Sequence, residues 1–299
     1  MYELNLQENL PPVASIIIPT YNRSDLLKYT IDSILNQSID SRLLQIIVVD
    51  DGSTDDTKEV VKPYFSQVNF KYFYQEDKGY RVAKARNTGI LNADAPICIF
   101  VDTSVMLGKH AVEEHLKIHR SSENPCAVIG YVYGFDDYNR DEEKLLKLVD
   151  VQNPDRSIAK LKQLGICDSR EPLYQKHGDN LEKWPAPWVI FWTCHVSVPK
   201  DALIKVNLFD EFYTTWGGED TDLALALERN NVRFVMSRSA ESIHYPHGKN
   251  SGYYEAFDEV FMEKKRRMDA KYQTTATKLW LTTACEELNE RLIGIKNND

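Results

Sequence analysis

Three short apolar runs, each stopped by a polar cluster, constrain what this chain can fold into. Val13–Ile18 is apolar apart from Ser15 and is ended by Pro19. Gln45–Asp50 runs into Asp51, Gly52 and Ser53, and Ile97–Val101 runs into Asp102, Thr103 and Ser104. Runs of this length without polar alternation mark strands buried on both faces. Between them the spacing turns helical. Leu27, Ile31, Ile34 and Leu35 share one face of a helix over Leu26–Leu35, for which Ser24 and Asp25 offer a cap. Ser53 or Thr54 would cap a second helix running through Val60 and Val61. A strand near 70–74 and a helix over 82–91 complete the alternation. Such alternation predicts an α/β fold with right-handed crossovers and a mainly parallel central sheet flanked by helices. Ligands of these sheets sit at the carboxyl ends of the strands. That is where Thr20–Arg23, Asp50–Asp51 and Asp102–Ser104 stand.

Charge narrows the partners. Lys and Arg number 36 against 45 Asp and Glu, a formal net charge of −9, so the chain lacks the broad positive field that drives binding to nucleic acid. Hydrophobic residues at 42 % exclude a disordered chain. No membrane span and no secretory leader is legible. The five cysteines (Cys98, Cys126, Cys167, Cys194 and Cys285) are scattered and form no C-x-x-C pair. They suit a reducing compartment, so a cytoplasmic protein is expected.

From about residue 131 the character changes. A charge-rich helix-forming stretch over 141–149 precedes an aromatic, proline-punctuated segment, Trp184–Trp192. After about residue 255 the chain reads as helical, and Glu263–Arg267 reads as a solvated charged face.

Three carboxylate sites stand out, each with a plain structural alternative. Asp50–Asp51 before Gly52 is also turn chemistry. Asp102 after a buried strand could cap the next helix. Trp216–Asp222 sets Glu219, Asp220 and Asp222 behind two glycines and before an apolar helix over Leu223–Leu227. Capping by Asp220 or Thr221 explains one of those carboxylates but not three.

Taken together, the segments Val13–Arg23, Val48–Thr57, Ala85–Gly89 and Phe100–Ser104 resemble the family-2 glycosyltransferases of GT-A fold. Trp216–Asp222, preceded by Ser197–Pro199 and Leu208–Asp210, is similar to the C-terminal half of bacterial chondroitin-type polymerases and animal β-1,4-galactosyltransferases. The resemblance covers roughly residues 13–250 and implies two halves of one GT-A domain. Residues 12–130 would bind the nucleotide-sugar and 131–254 would carry acceptor and catalytic groups, with 255–299 a helical extension. It implies a UDP-sugar donor, a glycan or glycoconjugate acceptor and inversion at the anomeric carbon.

The same resemblance implies residue roles. Pro19, Tyr21, Arg23, Asp51, Arg81 and Asp102 would bind the donor nucleotide, with Tyr21 stacking near the uracil, Asp51 accepting its imide proton and Arg81 on base or phosphate. Asp220 would be the general base. Glu219 and Asp222 would hold the acceptor or the sugar hydroxyls, beside Trp216 and Gly218, and Trp188 would line a sugar pocket, against its plain reading as core. The family's Asp-x-Asp metal signature reads Asp102–Thr103–Ser104 here, a hydroxyl in place of the second carboxylate. His244, 24 positions beyond Asp220, would join Asp102 and Ser104 around a divalent cation. Imidazole favours Mn²⁺ over Mg²⁺. His247 reads as a surface residue, and Lys249 or Arg81 could help neutralise the diphosphate. His110, His115 and His119 do not make a metal triplet.

Two other functions fit parts of this pattern. A sugar nucleotidyltransferase needs a glycine-rich loop at the first strand, and Pro19–Arg23 has no glycine. A non-catalytic nucleotide-sugar-binding subunit is motivated by Ser104. Oligomerisation through the C-terminal helices and their packing on their own domain are both compatible with the sequence.

Overall fold

The computed structural model describes residues 11–67, 69–134, 142–246 and 257–296. The first half alternates as the apolar runs predict: β1 (Ala14–Thr20), α1 (Ser24–Leu35), β2 (Leu44–Asp50), α2 (Thr57–Val61), β3 (Asn69–Tyr74), α3 (Val82–Leu91) and β4 (Ile97–Val101). There follow β5 (Val105–Leu107), α4 (Ala111–Ser121), β6 (Cys126–Tyr133), α5 (Glu142–Leu148), α6 (Pro154–Gln163) and α7 (Glu171–His177). After the aromatic segment come β7 (His195–Pro199), α8 (Lys200–Lys205), α9 (Glu219–Arg229) and β8 (Arg233–His244), then α10 (Phe257–Tyr272), α11 (Thr275–Trp280) and α12 (Cys285–Lys296).

One sheet of order β3-β2-β1-β4-β7-β6-β8-β5 runs through both halves. β1, β2, β3 and β4 pair in parallel, as do β6 and β8. β7 is antiparallel to both β4 and β6, and β5 is antiparallel to β8. The sheet is therefore mixed, and the mainly parallel expectation describes its first half. Every residue of β1 and of β2 is buried, which is why these strands tolerate no polar alternation. Their two polar residues satisfy each other: Ser15 Oγ donates to Gln45 Oε1 at 2.6 Å.

Caps differ from expectation. Arg23 rather than Ser24 or Asp25 precedes α1, and the Ser24 amide donates instead to Asp55 Oδ2 at 2.9 Å. Asp55, not Ser53 or Thr54, also takes the Thr57 amide at the start of α2. A β-carbon at Gly89 would lie 2.4 Å from Ile17 Cγ2, so α3 rests on β1 closer than a side chain permits. The α4 histidines serve packing: His115 Nδ1 and His119 Nε2 both meet Ser197 Oγ at 2.7 Å, and His115 Nε2 meets His195 Nε2 at 3.0 Å. Burial holds the His115 imidazole well below its usual range.

The C-terminal helices belong to this core. Trp280 packs edge-on against Trp188, with ring centroids 5.2 Å apart. Trp188 is 1 % exposed, which corrects the expectation that it lines a sugar pocket. The solvated reading of Glu263–Arg267 holds for Glu263 and Arg266, which are exposed, but not for Lys264 and Lys265, which are buried. Their ammonium groups find backbone carbonyls, and that of Lys265 also lies 5.2 Å from the ring centroids of both Phe261 and Trp280. No helix among the described residues is long and apolar enough to cross a membrane.

Asn289 of α12 accepts from the Ala186 amide at 2.8 Å and donates to the Ala186 carbonyl at 3.2 Å. Asn289→Ala is expected to destabilise the chain by about 1–3 kcal/mol for each buried group left unpaired, seen as a lower urea midpoint in one cooperative transition. A wild-type midpoint would mean that α12 unfolds separately from the sheet.

Candidate active site

The carboxyl ends of β1, β2 and β4 converge through short hydrogen bonds. Asn22, in the left-handed region at φ 49°, donates its backbone amide to Ser53 Oγ at 2.8 Å and accepts the Thr54 amide on Oδ1 at 2.8 Å. This stitches the loop after β1 to the loop after β2. Asp50 is a turn residue, since its Oδ1 accepts the Gly52 and Ser53 amides and its Oδ2 accepts Tyr72 Oη. Asp51 faces the other way. Its Oδ2 accepts the Arg81 amide at 2.7 Å, while its Oδ1 accepts Gln75 Nε2 at 2.5 Å and Arg81 Nη2 at 3.3 Å. Gly52 is required beneath, because a β-carbon there would lie 2.5 Å from the Asp77 backbone. Tyr21 stands beside this group, 48 % exposed, its hydroxyl donating to Asp77 Oδ2 at 3.0 Å. That hydrogen bond and the Asp77 charge raise the Tyr21 pKa. Pro19 accepts Thr103 Oγ1 on its carbonyl at 2.9 Å, and Arg23 opens α1.

After β4 the chain turns sharply. Ser104 has φ 87° and is fully buried, a conformation that costs a non-glycine residue roughly 1–3 kcal/mol. Its hydroxyl lies 3.4 Å from His244 Nε2 at the end of β8. The structure thus brings Ser104 and His244 together, two positions after Asp102. Among the described residues no group of three or more His, Cys, Asp or Glu side chains could by itself hold a metal ion. His247 and Lys249 lie outside the described residues.

Arg86 joins the two halves. It is buried, donating from Nη2 to Asp102 Oδ1 and from Nη1 to Glu219 Oε1, each at 2.9 Å. Burial opposes its charge, but Asp102 and Glu219 more than offset that and its pKa is raised. Asn87 continues the bracket, accepting the Phe209 amide at 2.9 Å and donating to the Phe209 carbonyl at 3.0 Å. Neither was singled out for a role from sequence, although both stand in the Ala85–Gly89 segment.

α9 begins at Glu219, four residues before the expected Leu223, with Gly218 at its cap at φ +95°. A β-carbon on Gly218 would meet the Tyr213 ring at 2.9 Å. The three carboxylates of this first turn meet different fates. Glu219 pairs with Arg86, and its Oε2 is buried with no hydrogen-bond partner among the described residues. Asp222 is buried and turned toward α10, its Oδ2 taking Lys271 Nζ at 2.6 Å, while its Oδ1 is buried with no hydrogen-bond partner among the described residues. Asp220 has no ion pair among the described residues, accepting only from Thr221. Burial, then the Glu219 charge, push its carboxyl up to about 7, against a partial pull from Arg86. Trp216, 40 % exposed, precedes this turn.

An α/β sheet with nucleotide-type loops at the ends of β1, β2 and β4, faced by an acidic helix start, defines a nucleotide-sugar-transferase type of fold. Residues 15–187 match the description "Glycosyl transferase family 2" and residues 178–248 match "N-terminal domain of galactosyltransferase". The chain belongs to glycosyl transferase family 2. It is 37 % identical over 237 residues to validoxylamine A glucosyltransferase of Streptomyces hygroscopicus subsp. jinggangensis, covering 79 % of this chain and 56 % of that protein. Chondroitin synthase of Escherichia coli is 29 % identical, over 79 % of this chain and 35 % of that protein. The chain thus spans about half, or less, of the length of these relatives. The crystal structure of Staphylococcus aureus TarS 1–349 in complex with UDP-GlcNAc superposes with a TM-score of 0.57 at 18 % identity, over 86 % of this chain and 65 % of that one.

The raised Asp220 carboxyl has a measurable consequence. The unfolded chain ionises it near 3.8 and the folded chain near about 7. Between those values the folded state binds the extra proton, so stability falls as pH rises through the window. Asp220→Asn removes that loss. Its stability relative to the parent should rise between about pH 4 and about pH 7 in denaturant titrations, and an unchanged difference would contradict the assignment.

Proposed function

We propose that this chain transfers a sugar from a UDP-sugar to an acceptor hydroxyl of a glycan or glycoconjugate with inversion at the anomeric carbon. The observation that carries this reading is Asp220: alone of the three carboxylates opening α9 it is left without an ion pair among the described residues, and it titrates near about 7. Such a group is poised as a general base at neutral pH. It takes the proton of the acceptor hydroxyl, whose oxygen then bonds to the anomeric carbon as the bond to the diphosphate oxygen breaks and UDP leaves. Glu219 offers its Oε2 to a sugar hydroxyl, with Trp216 beside the same turn.

On the donor side, Asp51 has a spare lone pair on Oδ2 for the uracil imide proton, since a carboxylate offers about four acceptor sites and three are taken. The exposed Tyr21 ring supplies a stacking face. Asp102 binds the ribose through the oxygen that Arg86 does not hold. Asp102, Ser104 and His244 would hold a divalent cation, Mn²⁺ in preference to Mg²⁺ because of the imidazole, and such an ion neutralises the leaving diphosphate. Glucose is the first donor sugar to test, because the relative at 37 % identity is named a glucosyltransferase. Ser104, in place of a second carboxylate, favours one rival: a subunit that binds the nucleotide-sugar without turning it over.

A UDP-release assay over several UDP-sugars and an acceptor panel separates these readings. Asp220→Asn is expected to lower turnover by roughly 10²–10⁴-fold while calorimetry shows UDP binding retained; undiminished turnover would sink the base assignment. Wild-type protein that binds UDP tightly and releases none from any donor would favour the subunit. Chelation should abolish turnover and weaken UDP binding, Mn²⁺ should restore both, and His244→Ala should blunt that restoration. Full activity in chelator would remove the cation from the scheme.

A further inference from the structure

Lys264, Arg267 and Lys271 recur at i, i+3 and i+7, so α10 carries them on one face. All three grip the segment that leads into α9. Lys264 Nζ donates to the Thr215 carbonyl at 3.1 Å and also to the Trp216 carbonyl. Arg267 Nη2 donates to Asp210 Oδ2 at 2.8 Å, and its guanidinium lies 3.7 Å from the Phe212 ring centroid. Lys271 Nζ binds Asp222 Oδ2 at 2.6 Å and lies 3.8 Å from Asp210 Oδ2.

Lys264 is the innermost of the three. It is buried, and its Cδ would lie 3.2 Å from a β-carbon on Gly218, the cap of α9. Gly217 and Gly218 both have positive φ, at 82° and 95°. Two consecutive left-handed glycines have little intrinsic preference for that geometry over others. Something must select it, and the two carbonyls just upstream are both held by one ammonium. Glu219 and Asp220 act on that ammonium electrostatically, opposing the burial that lowers its pKa.

We propose that Lys264 is a positioning residue for Asp220: by holding the Thr215 and Trp216 carbonyls it fixes the double-glycine turn from which α9 starts, and so sets where the base meets the acceptor. The proposal rests on Asp220 being the base. Lys264 itself touches neither donor nor acceptor and passes no proton. It lies beyond residues 15–187 and 178–248, so this strut is supplied by a part of the chain that neither family description reaches.

The test combines steady-state UDP release with UDP calorimetry on Lys264→Met, Lys264→Arg and Asp220→Asn. Lys264→Met is expected to lower kcat roughly ten- to a hundredfold, the scale of a small misplacement of a reacting group. Donor KM and UDP affinity should stay at wild-type values, because the donor loops lie on the other half. Lys264→Arg keeps a charged donor and should recover most of the rate. If the methionine variant does not fold, Lys264→Gln, which keeps a neutral donor, should show the same split with a smaller fall. A wild-type kcat in Lys264→Met overturns the proposal. So does a joint fall in kcat, UDP affinity and melting temperature that arginine does not rescue, which would mark a purely structural lysine. If Asp220→Asn turns over at the wild-type rate, the base assignment fails, and the proposal with it.

Discussion

Arg86 lies buried between the end of β4 and the start of α9, one nitrogen on Asp102 and another on Glu219. Those carboxylates are far apart in the chain, so the ion triad is a tertiary constraint that no local propensity supplies. Removing one partner of such a buried group leaves uncompensated charge, at roughly 3–5 kcal/mol. The chemistry follows from the arithmetic of the triad. Two carboxylates share one cation, so the cluster is already negative before Asp220 ionises. Burial is the main reason that the Asp220 carboxyl is pushed up to about 7, and the Glu219 charge adds to it against a partial pull from Arg86.

α3 is therefore more than a crossover helix. Gly89 seats it on β1, Asn87 fixes the backbone of Phe209, and Arg86 sets both acidic ends of the cleft. The antiparallel pairing of β7 with β4 brings the second half alongside, and α3 locks it in register. On the far side α10 performs the complementary task, placing cations against Asp210, the Thr215 and Trp216 carbonyls and Asp222 of the same segment and helix start. Asp220 sits between a bracket from the first half and a strut from the C-terminal helices.

Much of the first half was legible because its strands β1 and β2 are buried on both faces and write unbroken apolar runs. The carboxyl ends of those runs pointed directly to Asp51 and Asp102. The second half was less legible for physical reasons. β8 spans Arg233–His244 with buried and exposed residues intermixed and a register shift opposite Gly130/Tyr131, so it shows neither a continuous run nor a clean alternation. Glu263–Arg267 reads as a solvated face because charge alone does not say whether carbonyls wait across the interface. Asp222 looked like part of an acidic site, and only the position of Lys271 reveals that its charge is neutralised. Trp188 was a core residue from the start, and its neighbouring prolines drew attention away from that reading.

The committed state of the cations bears on how a diphosphate is met on a chain of net charge −9. Arg81 is engaged with Asp51, Arg86 with Asp102 and Glu219, Lys264 with two carbonyls and Lys271 with Asp222. Withdrawing Arg86 would leave Glu219 buried and charged, and withdrawing Lys264 would free the turn beneath Asp220. Arg81 is the cheapest to redirect, because the Asp51 carboxylate would keep the Arg81 amide and Gln75 Nε2. One guanidinium balances only part of a diphosphate. Ser104, held in a left-handed backbone against His244 and two residues after Asp102, brings no charge of its own, so the proposed function leaves the rest of the diphosphate to a bound cation.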